Sequence, residues 1–317
     1  MATKMNDLRN WRDINLRLVN RGRPSTYLNP ALKNQDADLP EMNKGKVGKP
    51  YSFSNMLIIA AFAVKSIFKI GYREAAGNIK DFLDLVGVKS HPDFRTIQWR
   101  IRQLDKEGIK LMIYKSIDEE EETIDVIVDS TGVKSRKDGE YRSNKYGKVK
   151  KWKQLHIVIS RKTRKILNVK VTRANSGDAN RFVPLMKPIV ERKRVNSSRT
   201  DGGYDSEENF EFCDRNNIDP IIPVHINAQS GRHRRKRIEE QLGVVKKPGK
   251  YRQPTKEQKK KNQEEWKERV DYHDRSLIET VNAVFKGVFD ESVFSKTTKM
   301  IEKELLLKAV MYNRYIA

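Results

Sequence analysis

Residues 124–131 read IDVIVDST. Upstream of them the apolar residues recur at helical spacing. Here they become a short run rich in β-branched side chains that ends in an acid, Asp129, before Thr131-Gly132. Such a run predicts a buried strand, and an acid at its carboxyl end stands where α/β sheets present ligand-binding groups. The competing reading is a turn-forming Asp at the strand exit. Downstream, QLHIVIS (154–160) and ILNVKVTRA (166–174) are separated by RKTRK, which predicts a hairpin. A helix candidate follows in NRFVPLMKPIVERK (180–193). Then come NSSRTDGGYDS (196–206), a helical SEENFEFCDRNN, and the strand IDPIIPVH. The order β-β-β-α-β-α-β defines a mixed α/β fold with flanking helices.

Upstream, residues 53–116 predict helices: FSNMLIIAAFAVKSIF, YREAAGNIKDFLDLVG and FRTIQWRIRQLDKEGIKLMIYKSI, with Gly71 and Gly87 at stops. Short helices joined by tight turns suit a DNA reader, with Arg95, Thr96, Gln98, Arg100 and Arg102 as contacts, or else a plain bundle with exposed charges. Residues 1–52, with RGRPSTYLNPALK and NKGKVGKPYSF, predict a basic arm of little regular structure. The acidic run IDEEEETID (117–125) predicts a solvated turn rather than a metal site. Residues 117–317 then form the second domain. They include a basic insertion at 226–270 (GRHRRKR, TKEQKKKNQEEWKERV), read either as a disordered excursion or as a DNA clamp.

The 317 residues carry 65 Lys plus Arg against 42 Asp plus Glu, a formal charge of +23. That surplus creates a positive field and favours a polyanion, nucleic acid first and an acidic membrane surface second. One cysteine, Cys213, excludes an intrachain disulfide framework and a cysteine-rich zinc site. The longest apolar run, MLIIAAFAV (56–64), is too short to span a bilayer, and the N-terminus has no signal-peptide core, so a cytoplasmic location is expected. The histidines show no metal-ligand spacing.

Asp201 lies in TDGGYDS, where Gly202-Gly203 allow close backbone approach and Asp205 reads as the cap of the next helix. Further on, DYHDRSLIETVNAVFK (271–286) places Tyr272, Arg275, Glu279 and Lys286 within about 40° of one stripe if wound as an α-helix. Leu277, Val281, Val284 and Val288 fall opposite. The plain alternative is a solvated face with an i,i+4 ion pair. Three carboxylates from two strands and a helix can converge on divalent cations and support phosphodiester chemistry.

These residues resemble the DDE transposases of bacterial and archaeal insertion sequences. The strand acid in IVDSTG, the second acid in TDGGYDS, and Tyr272-x2-Arg275-x3-Glu279-x6-Lys286 match the family's acids and its Tyr-Arg-Glu-Lys signature at every gap. PDFRTIQWRI (92–101) is similar to the family's N-terminal region. The resemblance covers roughly residues 50–315. It implies a ribonuclease-H-like catalytic core with Asp129, Asp201 and Glu279 as catalytic residues holding two Mg²⁺ or Mn²⁺ ions. Tyr272, Arg275 and Lys286 would contact phosphates or bases, and the chain would work on double-stranded DNA as a homodimer or larger assembly in the cytoplasm at the nucleoid. The implied function is an insertion-sequence transposase that cleaves at terminal inverted repeats and transfers the 3′-hydroxyl strand. The alternatives are a transposase-derived DNA-binding protein without catalysis and a stand-alone nuclease on the same core.

Overall fold

The computed structural model describes residues 10–135, 153–173, 177–228, 231–247, 250–252 and 254–316. The chain divides into two compact units, 1–105 and 106–317.

The first unit is helical: α1 (Trp11–Arg21), α2 (Pro24–Lys33), α3 (Gln35–Asn43), α4 (Asn55–Ile67), α5 (Tyr72–Leu85) and α6 (Phe94–Gln103). Helix α4 is apolar all round, so it can only be a core helix. Ser54 caps it, its hydroxyl accepting the Leu57 N–H at 3.2 Å, and Leu57 through Val64 are buried. Helices α2, α5 and α6 pack against it. The irregular arm expected over residues 1–52 is instead helical between residues 11 and 43. Pro24 occupies the first turn of α2, where its fixed φ suits a helix and its missing N–H costs nothing. The apolar stripe of α2 is only Tyr27, Leu28 and Ala31, too brief to register as a period, yet all three are buried.

The second unit carries a sheet of strand order β3-β2-β1-β4-β5, with β8 extending from β1. The strands are β1 (Thr123–Ser135), β2 (Lys153–Ser160), β3 (Ile166–Arg173), β4 (Arg194–Arg199), β5 (Asp219–Ile221) and β8 (Ser292–Val293). β1, β2 and β3 are antiparallel neighbours, whereas β4 and β5 run parallel to β1. Helix α8 (Phe182–Val190) connects β3 to β4, and α9 (Glu207–Arg215) connects β4 to β5. Phe182, Leu185 and Met186 of α8 with Phe210 and Cys213 of α9 cover one sheet face against Val126, Val128, Val158 and Leu167. α7 (Lys106–Asp118) and the long terminal helix α13 (Thr298–Ile316) pack on β3. This is the expected mixed α/β sheet flanked by helices.

The acidic run is paired rather than free. Glu120 is buried and accepts from the Ser160 hydroxyl at 2.8 Å, Glu119 pairs with Lys165 at 2.7 Å, and Glu121 pairs with Lys162. The run therefore clamps the β2–β3 turn.

The 226–270 insertion holds α10 (Arg234–Leu242), a β6–β7 hairpin (Val245–Lys247, Lys250–Arg252) and α11 (Lys256–Arg269). Helices α10 and α11 pack together, with Ile238, Leu242 and Trp266 buried. After α11 a 3-10 turn spans Tyr272–Ser276, followed by α12 (Leu277–Phe289). Both ends of α12 are anchored. Before it, Arg161 donates to Asp274 with Nε at 2.8 Å and also lies 3.5 Å from Asp125. After it, β8 pairs with Lys134 and Ser135 of β1, and the buried Lys308 of α13 donates to the Ser292 carbonyl at 2.9 Å. Among the described residues no single helix is long and apolar enough to cross a membrane.

Candidate active site

Strands β1 and β4 align Ile127 with Arg199, so Asp129 and Asp201 each stand two residues beyond that pair. By then β4 has ended, whereas β1 does not end at Asp129 as its sequence suggests but runs on to Ser135, with Asp129 paired to Ile157 of β2. Asp201 starts a short 3-10 turn, and its Oδ1 accepts the Gly203 N–H at 2.9 Å. A Cβ on Gly203 would lie 3.0 Å from that same Oδ1. A side chain there would crowd the carboxylate, which gives the second glycine of TDGGYDS a physical reason.

Asp129 is 14% exposed. Burial pushes its carboxyl up to about 6; Asp201 and Asp178 add to the rise, and Arg275 opposes it. Arg275 stands between two acids, with Nη1 3.8 Å from Asp129 Oδ2 and Nη2 3.5 Å from Glu279 Oε1. One guanidinium thus links the strand acid to the helix acid, while Glu279 remains 64% exposed. As placed, no three His, Cys, Asp or Glu side chains among the described residues converge at metal-ligand spacing. Even so, the donor set is all oxygen, the type a hard divalent cation selects. Asp129 is also held in a buried, net-negative environment that a cation would relieve. The residues therefore fit such an ion in chemistry.

The single α-helix expected over 271–286 is corrected. Asp271 adopts a left-handed conformation (φ 51°), the next turn is 3-10, and the α-helix begins at Leu277. The tighter turn turns Tyr272 relative to the α-helical stripe. The buried face is likewise shifted: Ile278, Val281, Phe285 and Phe289 are buried, whereas Leu277 is not. Arg275 and Glu279 still meet across one turn. Tyr272 packs on Trp266 of α11 with ring centroids 6.3 Å apart, and burial raises its hydroxyl to about 12. Lys286 is half-buried on α12.

Arg95 is exposed at the start of α6, beside the Phe94 ring. Arg100 is buried instead. Its Nη1 donates to the Phe53 carbonyl at 2.9 Å, Nη2 donates to Asn55 Oδ1 at 2.7 Å, and its guanidinium lies 3.9 Å from the Tyr51 ring centre. The expected DNA contact at Arg100 gives way to a structural role, because those partners use its donors internally. Asp205 does not cap α9. Ser206 does, and Asp205 pairs with Arg234, Nε to Oδ1 at 2.7 Å, fastening the insertion. A pocket bounded by Asp125, Arg161, Asp274 and Leu277 opens at the start of β1, away from Asp129.

Asp178 is the residue that sequence reasoning missed. Strand β3 is parallel to β1 through β2, so its carboxyl end faces the same way, and Asp178 follows that end. A common signal existed: β3 and β4, which both run in the direction of β1, are each followed by an acid.

The family described as "Transposase DDE domain" matches residues 120–314, more than half of the chain, and a second family of the same description matches residues 19–138. The chain belongs to the DDE transposases. The cryo-EM structure of the piggyBac transposase synaptic complex with hairpin DNA is similar at a TM-score of 0.44 and 10% identity, over 95% of this chain and 74% of that one.

Proposed function

We propose that the protein is an active DNA transposase of an insertion sequence. It binds the terminal inverted repeats of its element, cuts a strand to free a 3′-hydroxyl, and joins that hydroxyl to target DNA. The observation that carries this reading is the placing of Asp129, within β1, and Asp201, just past the end of β4, at the same level of neighbouring parallel strands, with Arg275 joining Asp129 to Glu279. Asp129, Asp201 and Glu279 would hold two Mg²⁺ or Mn²⁺ ions, which supply activation of the attacking oxygen and stabilisation of the leaving one.

The chain's own residues do the rest. Arg275 has a planar fork suited to a phosphate, and a scissile phosphate gives it a stronger partner than an acid 3.5 Å away. Rotation of Arg275 to the DNA frees Glu279 to turn toward the strand acids. Lys286 adds a point charge, Tyr272 a half-buried ring with a neutral hydroxyl, and Arg95 an exposed phosphate contact in the helical unit. The net charge of +23 draws double-stranded DNA to both units. The protein acts as a homodimer or larger assembly on paired ends.

Supercoiled plasmid incubated with the protein and Mn²⁺ tests the reading, beside Asp201→Ala and an EDTA control. Metal-dependent nicking that disappears in the variant is the expected result. Nicking that survives in Asp201→Ala would overturn it.

A further inference from the structure

Asp178 occupies the position before a short 3-10 turn, Ala179–Arg181, where an Asp ordinarily caps the backbone. It makes no such hydrogen bond. Its carboxylate is turned toward the sheet, where Oδ1 accepts from Gln154 Nε2 at 2.7 Å. The same oxygen lies 3.5 Å from Nδ1 of His156. His156 is wholly buried, and its other nitrogen meets the Thr172 hydroxyl at 2.8 Å. Gln154 also donates to Ser130, the neighbour of Asp129, at 2.9 Å. One oxygen of Asp178 is thus tied back to β2.

The other oxygen points elsewhere. A Cβ built on Gly203 would lie 3.8 Å from Asp178 Oδ2 and 3.0 Å from Asp201 Oδ1. The two carboxylate oxygens therefore border the same small gap, which the absence of a side chain on Gly203 leaves open. Tyr204, the next residue, is 0% exposed, and its hydroxyl has no hydrogen-bond partner among the described residues. The acidic groups acting on that hydroxyl are, in descending order, Asp178, Asp129 and Asp201. A buried donor left unmatched beside three acids points to a missing polar occupant.

We infer that Asp178 is a fourth carboxylate of the active centre. It is a positioning residue, held by Gln154, whose Oδ2 accepts hydrogen bonds from the water shell of a divalent cation bound at Asp201. Tyr204 provides the buried hydroxyl for the same shell. Outer partners of this kind hold a hydrated cation in register and typically change metal affinity 10- to 100-fold. The inference rests on the reading in which Asp201 holds a cation, and the test separates the two.

Mn²⁺ is titrated calorimetrically into the full-length protein without DNA. Asp201→Asn is the reference for the metal site, and Asp214→Asn, an exposed acid beside His233, is the reference for unrelated charge loss. Asp178→Asn keeps the side-chain shape and is expected to weaken Mn²⁺ binding about tenfold. Gln154→Leu leaves every acid in place and is expected to weaken it in the same direction by about threefold, a smaller share of that range. Asp214→Asn should bind as wild type, and melting curves confirm the fold of each variant. Wild-type affinity in both Asp178→Asn and Gln154→Leu, with Asp201→Asn impaired, would overturn the inference alone. Wild-type affinity in Asp201→Asn as well would remove the metal-site reading, and the inference with it.

Discussion

Arg100 and Arg275 look alike in sequence. Each stands at a helical turn beside aromatic residues in a strongly basic chain. The structure uses them in opposite ways. Arg100 spends its donors on Phe53 and Asn55 and lays its plane on Tyr51, so α6 is locked to the segment entering α4. Arg275 faces two acids at 3.5 and 3.8 Å, both longer than a good hydrogen bond. The difference separates an arginine enclosed by backbone and amide acceptors from one set between two carboxylates, and residue spacing does not report it.

The largest effect should come from the acids around Arg275. Asp129→Ala, Asp201→Ala and Glu279→Ala are each expected to lower metal-dependent strand cleavage by on the order of 10³-fold, since groups that act as a unit fail together. Gel quantification of plasmid nicking reads this directly, and an active Glu279→Ala would detach the helix acid from the site. Arg100→Ala comes next. Losing two charge-assisted hydrogen bonds and a stacked ring should destabilise the protein by about 2–4 kcal/mol in urea unfolding, and Arg100→Lys should recover little of it. A stable Arg100→Ala that bound DNA poorly would break the comparison.

Asp129 sharpens it through pH. Its folded-state value, about 6 against an ordinary 3.8, favours the protonated form in the fold. Without metal, the stability it contributes is full below 3.8 and is lost as pH rises through about 6. At pH 7, Asp129→Asn should therefore stabilise the metal-free protein by about 3 kcal/mol, and the slope of melting temperature between pH 4 and 6 should flatten. Added Mn²⁺ should reverse the order, raising the melting point of wild type but not of the variant. The smallest effect belongs to Lys286→Ala. It should lower the slope of log K against log salt for DNA binding by about one unit, and an unchanged slope would place Lys286 off the DNA path.

The succession of strands and helices along the second unit and the candidate acids were legible because both rest on local patterns. IDVIVDST, QLHIVIS and ILNVKVTRA announce strands by composition, and the Tyr-Arg-Glu-Lys spacing survives even though its first half is wound as a 3-10 turn. What was hidden depends on contacts distant in sequence. Arg100 is buried by residues 45 and 47 positions away. Asp178 resembles any turn Asp until Gln154 and Gly203 are brought beside it. The helices between residues 11 and 43 were hidden for another reason: α2 buries three residues on α4, and tertiary burial rather than helical period stabilises it.

The double anchoring of α12 has a kinetic meaning. The Arg161–Asp274 pair fixes the chain before the helix, and β8 on β1 fixes it after. Glu279 therefore does not have to be delivered by a sliding helix or a closing domain. The motion left to its exposed side chain is rotation about side-chain bonds, which takes picoseconds to nanoseconds. Such rotation is far faster than the microsecond-to-millisecond motions that gate many enzymes, so on the proposed reading no slow backbone step has to precede the meeting of the acids.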